Sequence, residues 1–300
     1  MAAPDAKTVS VHMRGAHVCE VTINRPHKRN ALDMTAWHEL GAAFFRLRRA
    51  VTGRLDGDVE KRLGDSAGDL AGTRCVVLTG AGDVFCAGID VAAFMPVVGD
   101  AAAAAADPAR ATIRTAAVVQ ELQDAFTAIA ELPIPVVAAV HGACIGGGID
   151  LIAGADIRLA AAGTKFSVKE IDLALAADVG TLQRLPRLVN NQSVLREWIY
   201  TGRLFDADEA RACGLVSQVF PDADALRKGA LTLAKQIATK SPVALYGVKE
   251  TLLYATRDAD RRSLRTQAAL NGALLQAVDV QAAAQAAFGK KGKPATFANL

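Results

Sequence analysis

Short apolar runs rich in β-branched side chains recur at residues 18–23, 75–79 and 136–140, and stretches with helical spacing fill the intervals between them. Runs of five or six such residues suit strands that are buried on both faces. Between the first two, Asp33 stands where it can cap a helix, and Leu40, Phe44 and Leu47 then recur on one side of that helix. Val119, Leu122, Phe126 and Ile129 make a second stripe, closed by Pro133 and Pro135. Strands alternating with amphipathic helices predict an α/β fold. Asp206 and Glu209 have the spacing of a capping box, and Gly214 can stop that helix. The alternation fades near residue 228. Beyond it, Ala230, Leu233, Ala234, Ile237 and Ala238 form an apolar helical face, and residues 264–287 continue in an Ala- and Gln-rich helical pattern. We therefore expect a core over residues 1–228 and a helical region over 229–300. Residues 52–73 are polar and rich in Gly and Asp, as suits an inserted surface loop. The alanine run at 101–106 fits a helix, a lid or an unstructured segment equally well.

Composition narrows the classes of function. With 51% hydrophobic residues in 300, the chain has material for a large core. A net charge of +3 gives no electrostatic footprint for nucleic acid. Cys19, Cys75, Cys86, Cys144 and Cys213 are scattered and lie mostly in apolar runs, so they read as reduced core thiols. The five histidines show no paired ligand spacing, and no metal is expected. No stretch is apolar enough to cross a bilayer, and the first residues lack both a secretory apolar core and the arginines of a mitochondrial leader. The final Ala298-Asn299-Leu300 is a degenerate form of the peroxisomal Ser-Lys-Leu signal. The expectation is a peroxisome or glycosome-like organelle, with the mitochondrion as the alternative.

A glycine-rich segment, His141-Gly142-Ala143-Cys144-Ile145-Gly146-Gly147-Gly148-Ile149-Asp150, follows the strand at 136–140 and leads into a helical stretch. Glycines let a backbone approach a ligand closely, and a helix N-terminus offers free N–H groups to a developing negative charge. The pattern is not that of a dinucleotide site, which needs an acid about twenty residues on, after a second strand. Three glycines alone would suit a tight turn slightly better. A second segment, Phe85-Cys86-Ala87-Gly88-Ile89-Asp90, also follows a strand through a Gly-Ala-Gly-Asp turn.

Together these two segments resemble the oxyanion-hole segments of the crotonase, or enoyl-CoA hydratase/isomerase, superfamily. The resemblance extends from Thr22-Ile23-Asn24-Arg25-Pro26 to the C-terminal helices. It implies a spiral of ββα units with a C-terminal helical oligomerisation region that packs subunits into trimers and hexamers, a use that the apolar face from Ala230 to Ala238 and the Ala-rich helix up to Ala287 fit. It also implies that the backbone N–H groups of Ile89 and Gly147 bind a thioester oxygen. Ala87, Gly88, Ile89, Asp90, Val91 and Gly147 would line the coenzyme A portion of the substrate, with Phe288 and Lys291 reaching a neighbour's coenzyme A. Coenzyme A would then be part of the substrate, with no separate cofactor.

The stretch from Phe166 to Pro186 resembles the dienoyl-CoA isomerase branch of the superfamily. Typical hydratases carry glutamates where this chain has Asp150 and Glu170, and glycine where it has Asp178. The acids are spaced by twenty and then eight residues, as in that branch. Removing a proton from carbon 2 of a 3,5-dienoyl thioester gives a dienolate whose charge extends to carbon 6. Protonation there yields the 2,4-diene. That chemistry needs two acids some distance apart. The resemblance assigns Glu170 to carbon 2, Asp178 to carbon 6, and Asp150 to tuning Glu170. Taken alone, Asp178 would read as a helix cap and Glu170 as a surface residue. Asp90 and Asp172 read as structural acids. The alternatives are an enoyl-CoA hydratase or other crotonase-type acyl-CoA enzyme, including an aromatic acyl-CoA dehalogenase. A different class is a non-catalytic scaffold or RNA-binding homologue, which would typically lack the acids.

Overall fold

In the main sheet, strands are added in the order in which the chain makes them. In the computed structural model, which describes residues 8–53, 70–103, 105–288, 295 and 297, β1 (Val9–Met13) pairs antiparallel with β2 (Val18–Ile23). From there β3 (Cys75–Gly80), β4 (Val136–Val140), β6 (Ile157–Ala161) and β9 (Gln218–Phe220) follow in parallel, each beside its predecessor. A second, smaller sheet is built from β5 (Ala143–Ile145), β7 (Lys165–Ser167) and β8 (Phe205–Asp206). Thus β4 is followed by β5, and β6 by β7, one strand for each sheet. Cys86, just after β3, pairs with Cys144 of β5 and so extends the small sheet by one position. The repeated step between two sheets is the spiral that the resemblance implied.

The strands read as fully apolar because both faces of the main sheet are covered. One face packs against α1 (Met34–Thr52), α3 (Pro108–Ala130) and α4 (Gly147–Gly154). There Trp37 stacks on Phe126 with ring centroids 4.4 Å apart. Asp33 caps α1 as expected, accepting from the Ala36 amide at 2.8 Å. The alanine run resolves into a helix end. α2 (Val91–Ala103) reaches into it, and Asp107 then caps α3 by accepting from the Arg110 amide. Most of the polar stretch 52–73 lies outside the described residues, as does Ala104.

The opposite face carries α8 (Ala223–Ala238), whose Leu226, Ala230, Ala234 and Ala238 lie on Val77, Val137, Ala139 and Leu159. This corrects the use expected for that apolar face. Its alanines are consumed by the chain's own sheet, and their small size lets the helix come close. The helix also crosses residue 228, so the boundary expected there runs through an element packed on the sheet. Among the described residues, most of the large apolar side chains left in solvent belong to the next helices, α9 (Pro242–Tyr254), α10 (Arg257–Leu274) and α11 (Val278–Phe288), with Val243, Leu252, Tyr254 and Val278 prominent. Along the chain, α5 (Thr181–Leu188) and α6 (Gln192–Thr201) lie between β7 and β8, and α7 (Ala207–Ala212) follows β8 directly.

The expected capping box at α7 is half formed. Asp206 accepts from the Glu209 amide at 3.0 Å, but the Glu209 carboxylate turns away to Arg203 and to the Trp198 ring nitrogen. A charged donor outcompetes a backbone amide for it. Packing at α8 leaves no room for a larger residue. Ala234→Leu is expected to lower the free energy of unfolding by about 1–3 kcal/mol, measured by denaturant titration. No change in the midpoint would mean that α8 does not sit on the sheet this closely.

Candidate active site

Two backbone segments meet where the sheets are joined. The Cys86 amide donates to Ala143 O at 3.0 Å, and the Ile145 amide donates to Cys86 O at 3.0 Å. On the other side of the first segment, Leu32 N donates to Gly88 O and Asp90 N donates to Leu32 O, both at 2.8 Å. These bonds hold residues 86–90 on both flanks yet leave the Ile89 amide unused. Gly147 opens α4, so its amide has no carbonyl one turn earlier to meet. Among the described residues neither amide forms a hydrogen bond. They lie side by side, since a Cβ built on Gly147 would stand 3.9 Å from Ile89 N and one on Gly88 would stand 3.8 Å from Gly147 N. Gly88, at φ +94°, is required twice over: a side chain there would be strained and would come within 3.0 Å of Ile145 O.

Both amides border a cavity of about 840 Å³. Ala87, Gly88, Ile89, Asp90, Val91 and Gly147 all line it, as do Asp150, Glu170 and Asp178. Trp37, Phe94 and Leu122 supply apolar wall, and α11 contributes Ala284 and Ala287. The structure thus gathers the sequence-predicted positions around one space. The exceptions are Phe288, whose side chain lies outside the described residues, and Lys291, which lies wholly outside them.

The three acids arrive from separate elements. Asp150, in the first turn of α4, is 1% exposed. Its Oδ1 accepts from the Thr181 amide at 2.5 Å, so it caps α5 from across the core. Burial pushes its pKa up to about 6, against the pull of Thr181 and of the buried Arg184. Glu170 begins a 3-10 turn, Glu170–Leu173, which Ala174 closes in the left-handed conformation at φ 56°. Its Oε1 occupies the space that a side chain on Gly146 would need, 3.1 Å from the Cβ position. Its Oε2 is buried with no hydrogen-bond partner among the described residues. Burial, and then the charges of Asp150 and Asp178, raise the Glu170 pKa to about 8.

Asp178 lies in the loop between this turn and α5. Its Oδ2 accepts from Asn271 Nδ2 at 2.6 Å, and its backbone carbonyl accepts from Gln123 Nε2 at 2.7 Å. Burial raises its pKa to about 7, opposed by the Asn271 bond. The helix-capping reading of Asp178 fails, because the amide it would have received already belongs to Asp150. Asp90 and Asp172 also border the cavity, but each faces a cation: Asp90 pairs with Arg25 at 3.5 Å, and Asp172 with Lys169.

Asn271 and Gln123 had no signal in the sequence. Both sit on long helices whose only periodicity is apolar, and their partners are distant in the chain. The thiols play no part. Cys86 and Cys144 are buried, and burial pushes the Cys86 pKa up to about 12. Among the described residues there is no cluster of His, Cys, Asp or Glu able to hold a metal ion, and no helix is long and apolar enough to cross a membrane. The site as built can hold an oxygen that gains negative charge and can exchange protons with a chain lying beside Glu170 and Asp178.

Comparison with known proteins agrees with this geometry. A family model described as enoyl-CoA hydratase/isomerase matches residues 67–298. The mitochondrial Delta(3,5)-Delta(2,4)-dienoyl-CoA isomerase of Homo sapiens is 40% identical over 99% of this chain and 85% of its own length. The peroxisomal Delta(3,5)-Delta(2,4)-dienoyl-CoA isomerase of Arabidopsis thaliana is 36% identical over 94% of this chain and 93% of its own. Among solved structures, an enoyl-CoA hydratase/isomerase from Pseudoalteromonas atlantica T6c shares the fold at a TM-score of 0.77, with 24% identity over 97% of this chain and all of that one. On the sequence, the fold and the paired amides alike, the chain belongs to the enoyl-CoA hydratase/isomerase family.

Proposed function

We propose that the protein isomerises 3,5-dienoyl-CoA to 2,4-dienoyl-CoA in the breakdown of unsaturated fatty acids. The observation that carries this is the convergence of three carboxyl groups and two unused amides on one largely apolar cavity. The naming of its 40% identical relatives supports the same reading. In this mechanism the thioester oxygen lies between the Ile89 and Gly147 amides, which stabilise it as it gains charge. Glu170, with a bare Oε2, takes the proton from carbon 2. Asp178 delivers a proton to carbon 6. Asp150 raises the proton affinity of Glu170 through its charge. Enzyme that starts with the proton on Asp178 finishes with it on Glu170, so exactly opposite protonation states serve the forward and reverse directions.

The hydratase alternative needs two acids free to hold one water, and Asp150 is already committed to the Thr181 amide. That favours the isomerase. The three acids and a charge of +3 weigh against a scaffold or RNA-binding role. Coenzyme A enters as part of the substrate along residues 87–91, and no separate cofactor is invoked. Phe288 and Lys291 would reach a neighbouring subunit's coenzyme A. The exposed apolar side chains of α9–α11 support a trimer or a dimer of trimers. A sedimenting species of monomer mass at micromolar concentration would overturn this assembly. The relatives are named mitochondrial or peroxisomal. Residence in a peroxisome or glycosome-like organelle rests on Ala298-Asn299-Leu300, which lie outside the described residues, and a fluorescent fusion of the last ten residues tests it.

The two ends of the dienolate can be separated by experiment. Asp178→Asn is expected to abolish formation of the 2,4-diene, followed by absorbance, while carbon 2 hydrogen still exchanges with heavy water. Glu170→Gln should lose both. Each loss should be about a hundred- to ten-thousand-fold. Isomerisation by Asp178→Asn at the wild-type rate would refute its role. The reaction also needs one proton on the Glu170–Asp178 pair. Both carboxyls are raised, to about 8 and about 7. Acid therefore removes the base by protonating both groups, and alkali removes the acid by ionising both. The expected kcat profile is a bell centred near neutral to mildly alkaline pH. A profile whose acid limb falls in the ordinary carboxylate range, at about pH 4, would contradict it.

A further inference from the structure

We propose that Asn271 is a positioning residue that fixes which oxygen of Asp178 carries the transferable proton. The inference rests on the reading of Asp178 as the acid at carbon 6, and deepens it.

The Asn271 side chain is 1% exposed, and its amide has a determined orientation. Nδ2 donates to the Ala176 carbonyl at 2.8 Å, and a carbonyl oxygen can only accept. Oδ1 accepts from Gln267 Nε2 at 3.1 Å. Turning the amide over would set oxygen against oxygen at Ala176. A donor therefore always faces Asp178 Oδ2, at 2.6 Å. That oxygen is held as an acceptor, and a proton on Asp178 must sit on Oδ1. Among the described residues Asn271 is the only side chain that donates to the Asp178 carboxyl, so Oδ1 has no side-chain donor, and Asp178 borders the cavity. The proton is thereby kept on the oxygen left free for substrate.

The mounting is rigid. Next to Asn271, Gly272 brings α10 so near α3 that a Cβ there would stand 2.5 Å from Thr112 O. Gln123 of α3 ties the Asp178 carbonyl to the Leu264 carbonyl of α10 with one amide nitrogen, at 2.7 and 2.9 Å. The charged groups around Asp178 are Asp150 on α4, Glu170 on the 3-10 turn and, beside Asp150, Arg184 on α5. The surfaces of α3 and α10 that touch the loop contribute the neutral amides Gln123, Gln267 and Asn271. α11 lends Ala284, Gln285 and Ala287 to the same cavity. Asn271 is thus the side-chain donor that offsets the neighbouring negative charge at Asp178 itself.

Two variants test this. Asn271→Leu has similar volume and no donor. Asn271→Asp keeps the shape, and donates only when it is itself protonated. Asn271→Leu removes a donor that favours ionised Asp178, and Asn271→Asp sets a second carboxyl against it, so both should move the alkaline limb of the kcat profile to higher pH, by a fraction of a unit because Glu170 shares that limb. Both should lower kcat several-fold to about thirtyfold with KM little changed, since the proton is then shared between two oxygens and held more tightly. Exchange of carbon 2 hydrogen, the work of Glu170, should persist near the wild-type rate. If the alkaline limb stays in place in a folded variant, or if exchange falls in parallel with isomerisation, Asn271 is only structural and the proposal is wrong. Should Asn271→Leu fail to fold, Asn271→Asp gives the same readings. The underlying assignment has its own control. Wild-type isomerisation by Asp178→Asn would remove the acid itself, whereas an inactive Asp178→Asn with an unmoved limb in both Asn271 variants overturns the Asn271 role alone.

Discussion

Two backbone hydrogen bonds, Cys86 N to Ala143 O and Ile145 N to Cys86 O, join the segment after β3 to strand β5. Everything at the site is positioned from that junction. The bonds are main-chain and buried, so leaving them unmade would strand four desolvated groups at a cost of about 1–3 kcal/mol each. The Cys86 and Cys144 side chains fill the space behind them, and Gly148 sits over both: a Cβ there would be 3.1 Å from the Cys86 carbonyl and 3.3 Å from the Cys144 sulfur. With the segments locked in register, the Ile89 and Gly147 amides need no further support to stand together. The junction also sends α4 away at a fixed angle, and with it Asp150.

From Asp150 the constraint passes to the other two acids. Burying a carboxylate is costly unless it is hydrogen-bonded. This chain meets that cost unequally. Asp150 receives the first amide of α5, Asp178 receives Asn271, and one Glu170 oxygen receives nothing. The bond at Asp150 has a second effect. It fixes the start of α5, and the loop carrying Asp178 ends there. A shorter acid than the glutamate of hydratases suits this arrangement, because Asp150 meets the Thr181 amide directly at 2.5 Å.

How much of this was legible in the sequence depended on how far each partner lay along the chain. The buried strands and the Asp33 cap are local patterns, and β2 and β4 appear with the bounds that periodicity suggested. The amides and acids were legible because glycine spacing and acid spacing mark one family. The apolar face of α8 was visible, but not the surface it covers: a strip of alanines fits a sheet of the same chain or a neighbouring subunit equally well, and only the sheet's position decided it. The Glu209 side chain was misread for a similar reason. Its competitor, Arg203, sits outside the capping motif and carries a charge. Asn271 was beyond reach altogether, since nothing in an Ala- and Gln-rich helix distinguishes one amide until it is set beside Asp178, 93 residues away.

The matching of strand order to chain order has a consequence for how the molecule comes into being. From β2 onward, each strand of the main sheet adds to an edge already made by residues upstream, so the sheet can grow on the ribosome as the polypeptide emerges. The oxyanion amides and Asp150 belong to that early part. The donor to Asp178 comes from α10, among the last elements synthesised, and it must dock onto α3 after the sheet is in place. Birth of the protein therefore separates its two chemical halves in time. The half that presents the two free amides is assembled first, and the half that supplies the hydrogen-bond donor to Asp178 is completed only when the C-terminal helices close over it.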